Sequence, residues 1–102
     1  MPAVARDGDS TSTGHECDGT TTITGPTGAN VHVFANGIPV ECAGDPTADH
    51  AYGGKNCSAH HVAAINVGSG TVFVGGKALA RIGDSTDSGA ISSGSPNVFA
   101  GG

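Results

Sequence analysis

The chain repeats itself, and no other feature limits its fold as tightly. Gly68-Ser69-Gly70-Thr71-Val72-Phe73-Val74-Gly75-Gly76 is matched by Gly94-Ser95-Pro96-Asn97-Val98-Phe99-Ala100-Gly101-Gly102, and Val33-Phe34-Ala35-Asn36-Gly37 is a looser copy. A second motif also occurs three times, as Ala5-Arg6-Asp7-Gly8-Asp9, Glu41-Cys42-Ala43-Gly44-Asp45 and Ala80-Arg81-Ile82-Gly83-Asp84. Phe34 precedes Asp45 by eleven residues, and Phe73 precedes Asp84 by eleven. Asn36-Gly37 and Gly75-Gly76 are strong two-residue hairpin signals, so each unit reads as strand, turn, strand and Gly-Asp turn. The third unit is split between the chain ends. Joining Gly102 to Met1 gives a Phe99-to-Asp9 spacing of twelve. This predicts that the first and last segments pair, that the termini lie together, and that three hairpins surround a pseudo-threefold axis. A linear array would need capping units at both ends, and none is visible.

Composition sets how such a fold must be held. Of 102 residues only 36% are hydrophobic and 18 are glycine. Leu79 is the only leucine. A helical bundle is excluded on that basis, and glycine without a strict period of three excludes collagen. A charged fraction of 13% argues against an acidic disordered tail. A net charge of −5 from four basic and nine acidic residues leaves no basic patch for nucleic acid. No apolar run approaches the roughly 18 residues of a membrane span. Met1 to Asp7 lacks the charged and apolar regions of a signal peptide, which predicts synthesis in a reducing cytoplasm. So small a core needs a staple, whether disulfide, metal or partner.

The staple candidates concentrate in two long excursions between the hairpins, Ser10 to Thr24 and Pro46 to Ala64; a third, Ser85 to Ala90, is short. Four of the five histidines and two of the three cysteines lie in the long pair: His15, Cys17, His50, Cys57, His60 and His61. Imidazole and thiolate are the preferred ligands of zinc, and a tetrahedral structural site needs four. Cys57 with His60 or His61 forms a C-x₂-H or C-x₃-H pair, with His50 seven residues earlier and His15 supplied by the other loop. Cys17 reads as ligand, neighbour or free thiol. Cys42 stands where Arg6 and Arg81 stand in the other copies and reads as a small buried thiol. His32, between Val31 and Val33, reads as a surface histidine. Three cysteines cannot all pair, so metal is expected rather than disulfide. Glu16 beside His15 could serve a catalytic metal as base. However, no H-E-x-x-H spacing, nucleophile elbow or phosphate loop accompanies it, and an enzyme is not expected.

Taken together, the Gly-Ser-x-x-Val-Phe strands and the degenerate tetrapeptides Ala3-Val4-Ala5-Arg6, Pro39-Val40-Glu41-Cys42 and Ala78-Leu79-Ala80-Arg81 resemble the PAAR-repeat family. Arg6-Asp7-Gly8-Asp9, Gly14-His15 and the Asn97-to-Gly102 ending add to the resemblance, which spans the chain. It implies an all-β cone of short hairpins. Such a cone caps a trimeric β-helical spike of a type VI secretion system or contractile phage-like tail. The cone's flat base meets the trimer, its apex briefly contacts the target membrane, and effectors can ride as separate partners. It further implies one structural zinc per chain near the apex, preferred to iron, on three histidines and one cysteine. Carried over, these are His15, His50, Cys57 and one of His60 and His61, with His61 favoured because Gly68 follows it by seven. The expected organisation is a single domain over 1–102 with no effector extension, assembled at a spike tip and delivered out of the cell. The competing reading is a small zinc-binding adaptor that recruits an effector. Two departures stand out. Glu41-Cys42 replaces Ala-Arg, and four extra residues separate Gly25 from Phe34, which predicts a bulge or a longer loop.

Overall fold

A computed structural model describes residues 1–25 and 32–101. The four extra residues before Phe34 fall at 26–31, outside the described residues. The chain is all-β and elongated, with extents of 41 × 24 × 22 Å. Among the described residues, its strands pair into five two-stranded antiparallel hairpins. These are β1 (Ser10–Ser12) with β2 (Thr20–Thr22), β3 (Phe34–Ala35) with β4 (Ile38–Pro39), and β5 (His50–Gly53) with β6 (Ala59–His61). The other two are β7 (Phe73–Val74) with β8 (Lys77–Ala78), and β9 (Ser85–Thr86) with β10 (Gly89–Ala90).

The turns follow the sequence chemistry. Asn36 and Gly37 have φ of 57° and 76°, and Gly75 and Gly76 have 57° and 84°. Both central residues are therefore left-handed, as a tight hairpin with matched strand twist requires. The third unit closes through the chain ends. Ala3 bridges Phe99, Val4 N–H donates to the Val98 carbonyl at 2.9 Å, and Ala100 N–H donates to the Pro2 carbonyl at 3.0 Å.

A ring of backbone hydrogen bonds marks the pseudo-threefold axis. Ala5 N–H donates to Ala80 (2.9 Å), Ala80 to Glu41 (3.0 Å) and Glu41 to Ala5 (3.1 Å). Around and beyond it the side chains stack in small layers. Val4, Ala35, Val40, Cys42, Leu79 and Ala100 form one buried cluster, and Ala5, Ile23, Ile65, Ala80 and Ile91 form the next. The carbonyls of Ile23, Ile65 and Ile91 each accept a 2.8 Å bond, from Gly8, Gly44 and Gly83 respectively. Bridges Ile23↔Thr47, Ile65↔Thr86 and Thr11↔Ile91 then lead to a layer of buried threonines, Thr11, Thr47 and Thr86. Each isoleucine contributes about 2 kcal/mol by burial, and beyond the threonines no apolar layer follows among the described residues.

The Gly-Asp turns are pinned alike. Asp9, Asp45 and Asp84 accept from the backbone N–H of Arg6, Cys42 and Arg81 at 2.7, 2.8 and 2.8 Å. Arg6 and Arg81 fold back onto Asp9 and Asp84, with Nε–Oδ2 distances of 3.1 and 3.0 Å. The middle copy has Cys42 instead, and Lys77 supplies the cation, 3.0 Å from Asp45 Oδ1. Cys42 is a free buried thiol, pushed up to about 11 by burial and then by the charge of Asp45.

The three excursions also become hairpins, β1–β2, β5–β6 and β9–β10, one per repeat. Close approach between the first and third is possible only because Gly89 has no side chain: a Cβ there would collide with the Ser12 carbonyl. Gly14, at φ 78°, lies equally tight against Ser88.

Candidate metal centre

The three excursions bring one polar cluster together beyond the threonine layer. His50 and His61 are paired across β5 and β6, so their side chains share a face. His15 follows Thr13, whose hydroxyl accepts its backbone N–H at 3.1 Å. Asp87 sits at the β9–β10 turn with φ 56°, a conformation aspartate tolerates better than most residues. Its Oδ2 lies 2.7 Å from His50 Nε2, 2.8 Å from His15 Nε2 and 3.0 Å from His61 Nε2. One donor atom from each of the four residues lies within 4.8 Å of the others. Tyr52, bulged out of β5, stacks on His61 with ring centroids 4.3 Å apart.

Hydrogen bonding orients this cluster. His50 Nδ1 lies 2.9 Å from the Ala48 carbonyl, which can only accept, so Nδ1 carries the proton. His50 Nε2 then presents its lone pair to Asp87 Oδ2 and, at 2.8 Å, to His61 Nε2. Such a gathering of lone pairs needs a proton or a metal cation between them. Burial alone would lower the His50 pKa, but the Ala48 and Asp87 hydrogen bonds, with the charges of Asp87 and Asp18, outweigh it and hold it above its ordinary value. Burial would likewise raise Asp87, yet hydrogen bonds to His50, His15 and His61 hold its carboxyl below the usual range. Three imidazoles and a carboxylate are a donor set zinc accepts in tetrahedral sites.

Of the residues read from sequence, the structure gathers His15, His50 and His61. His60 alternates to the other side of β6, exposed, with Nδ1 3.7 Å from Asp49. The placement of Cys57 is corrected. Its sulfur is bonded to Cys17, with Cα atoms 5.7 Å apart, so a disulfide stands where free thiols were expected. A sulfur held in a disulfide offers no thiolate to a metal. The reason is topological: the β1–β2 and β5–β6 excursions lie side by side, with Ala51 N–H donating to Asp18 Oδ2 at 2.8 Å and Asp18 N–H donating back to the Ala51 carbonyl at 3.1 Å. Asp87 was not singled out from sequence. A scan for imidazole and thiolate passes over a carboxylate, although the third excursion must rise to the same height as the other two. His32 is exposed, as expected. Glu16, Tyr52, Asn56 and both bonded cysteines line an open groove of about 620 Å³ beside His15.

The opposite end is apolar. Val33-Phe34, Val72-Phe73 and Val98-Phe99, one pair per repeat, are exposed, with the phenylalanines at 56%, 56% and 49%. Ser69 and Ser95 shape two of these strands alike: Ser69 Oγ accepts from Val72 N–H at 3.0 Å and Ser95 Oγ from Val98 N–H at 2.9 Å. No helix among the described residues is long and apolar enough to cross a membrane.

Comparison with curated proteins gives no match to this chain. A family model for the PAAR motif matches residues 8–91, from the first Gly-Asp turn to the last isoleucine of the core. With a match over that span, on a fold built of the three expected repeats, the chain belongs to the PAAR-motif family.

Proposed function

We propose that this protein is the non-enzymatic tip of a trimeric β-helical spike, with one structural metal at its apex. The observation that carries the reading is the exposed base. One asymmetric chain presents three equivalent Val-Phe pairs around a pseudo-threefold axis, which suits the end of a threefold-symmetric partner. Contiguous exposed apolar surface of this kind marks a protein interface. At the other end His15, His50, His61 and Asp87 would hold the metal, zinc before iron given three nitrogens and one oxygen. The ion would clamp the three excursions together where the apolar layers have ended. In this reading the cone assembles on a secretion or phage-like spike, is delivered with it and meets the target membrane point first; effectors would be separate partners.

The test is docking. Wild-type protein should form a 1:1 complex with a trimeric β-helical spike, measured by analytical ultracentrifugation and calorimetry. The Phe34→Asp, Phe73→Asp and Phe99→Asp triple variant should bind at least about 100-fold more weakly, because three central apolar anchors are lost. A wild type that ignores the trimer yet captures a cytoplasmic partner would favour the adaptor reading.

A further inference from the structure

We propose that Cys17 and Cys57 form a reversible thiol–disulfide clamp whose oxidation tightens the apical centre for its metal; the metal half of this statement rests on the function proposed above. The bond joins the loop that carries His15 to the loop after His50 and before His61. These two loops supply three of the four gathered donors. Constraining one loop against the other reduces the conformations the donors must give up when a cation binds. Linkage is reciprocal, so bound metal must in turn stabilise the disulfide against reduction.

Three features make the bond exchangeable rather than inert. Cys57 is exposed, whereas the third cysteine, Cys42, is buried. Both bonded cysteines line the open groove, which gives a small thiol access to the sulfurs. Asn56 and Cys57 have consecutive positive φ of 57° and 55°, a conformation that non-glycine residues rarely adopt in succession. Exposed bridges that a thiol can reach are the labile class.

The chemistry is two thiol–disulfide exchanges with a small-molecule disulfide such as oxidised glutathione. Cys57 loses its proton to solvent, and its thiolate attacks one sulfur of the reagent and expels a glutathione thiolate. The Cys17 thiolate then attacks the Cys57 sulfur of the mixed disulfide and expels the second. Two protein thiols are oxidised to one disulfide, and one external disulfide is reduced to two thiols.

The experiment equilibrates the full chain in glutathione buffers of graded ratio, with and without zinc, and reads oxidised fraction by alkylation and mass spectrometry. In parallel, zinc affinity is measured by competition with a chromogenic chelator. The oxidised protein, the protein reduced by a phosphine, and the Cys17→Ser/Cys57→Ser variant are compared. The expected results are reversible alkylation at Cys17 and Cys57, a midpoint shifted about tenfold toward stronger reductant by zinc, and a matching loss of zinc affinity in both open forms, within the usual range of coupling. Zinc bound equally tightly in open and closed forms would overturn the clamp and leave the metal reading intact. Tighter binding by the reduced form, absent in the serine variant, would overturn it by making a thiolate a ligand. No zinc binding in any form would overturn the metal reading and the clamp together.

Discussion

Replacing His50 by alanine is expected to abolish stoichiometric metal binding and to lower the melting temperature of the metal-loaded protein by about 10–20 °C. His50 is the most buried of the gathered histidines, its side chain 2% exposed, and it is in contact with both Asp87 and His61. Losing one of four donors lowers affinity about 100-fold or more, and at saturating metal that alone removes about 3 kcal/mol. In a domain of this size each kcal/mol shifts the midpoint by about 4–8 °C. Asp87→Ala is expected to behave similarly, whereas His32→Ala, at an exposed position, should leave both readouts unchanged. Calorimetric melting with and without added zinc distinguishes ligand loss from lost packing, because only ligand loss removes the response to zinc. A His50→Ala protein that keeps the wild-type zinc response would contradict the assignment.

Replacing Glu41 by methionine is expected to stabilise the protein by about 2–4 kcal/mol at neutral pH, because it removes a buried carboxyl that must take up a proton on folding. Glu41 stands where the other repeats have Ala5 and Ala80, fully buried beside the Asp45 carboxylate. Burial, then the charges of Asp45 and Asp7 and a hydrogen bond to Asp45, raise its pKa from 4.5 to about 9, against the opposing pull of Lys77. Between those values the folded chain holds a proton that the unfolded chain releases. The contribution of Glu41 is therefore most favourable below its unfolded pKa. It is lost as pH rises toward about 9, by up to about 1.4 kcal/mol per pH unit. Urea unfolding of wild type and Glu41→Met at pH 5.5, 7 and 8.5 cancels the titration of the shared histidines. The stability gap should widen with pH, and a gap that stays constant would contradict a neutral, buried Glu41.

The base of the fold was legible because its turns are local. Asn36-Gly37 and Gly75-Gly76 dictate left-handed turns by themselves, and equal spacing from Phe34 to Asp45 and from Phe73 to Asp84 reveals the repeat. Pairing of the chain ends followed from the split third copy. The upper layers were not legible, because Ile23, Ile65 and Ile91 sit in isolated bridges with no alternating strand around them. At the apex, His15, His50 and His61 could be read by residue type, but their fourth neighbour could not. Asp87 reaches them only because Ser85–Ala90 forms the third hairpin and Gly14 leaves room for Ser88. The disulfide was hidden for a similar reason. An odd cysteine count argues against pairing, yet the fold places the Cys17 and Cys57 loops in contact and buries Cys42 alone in the base.

The most direct test of the account is metal content per chain in the purified, dialysed protein, by elemental mass spectrometry. About one zinc per chain, lost on substitution of His50 or Asp87 and retained on substitution of His60, is the predicted result. A folded protein that carries no metal would contradict it, and would leave the apex held by its disulfide and hydrogen bonds alone.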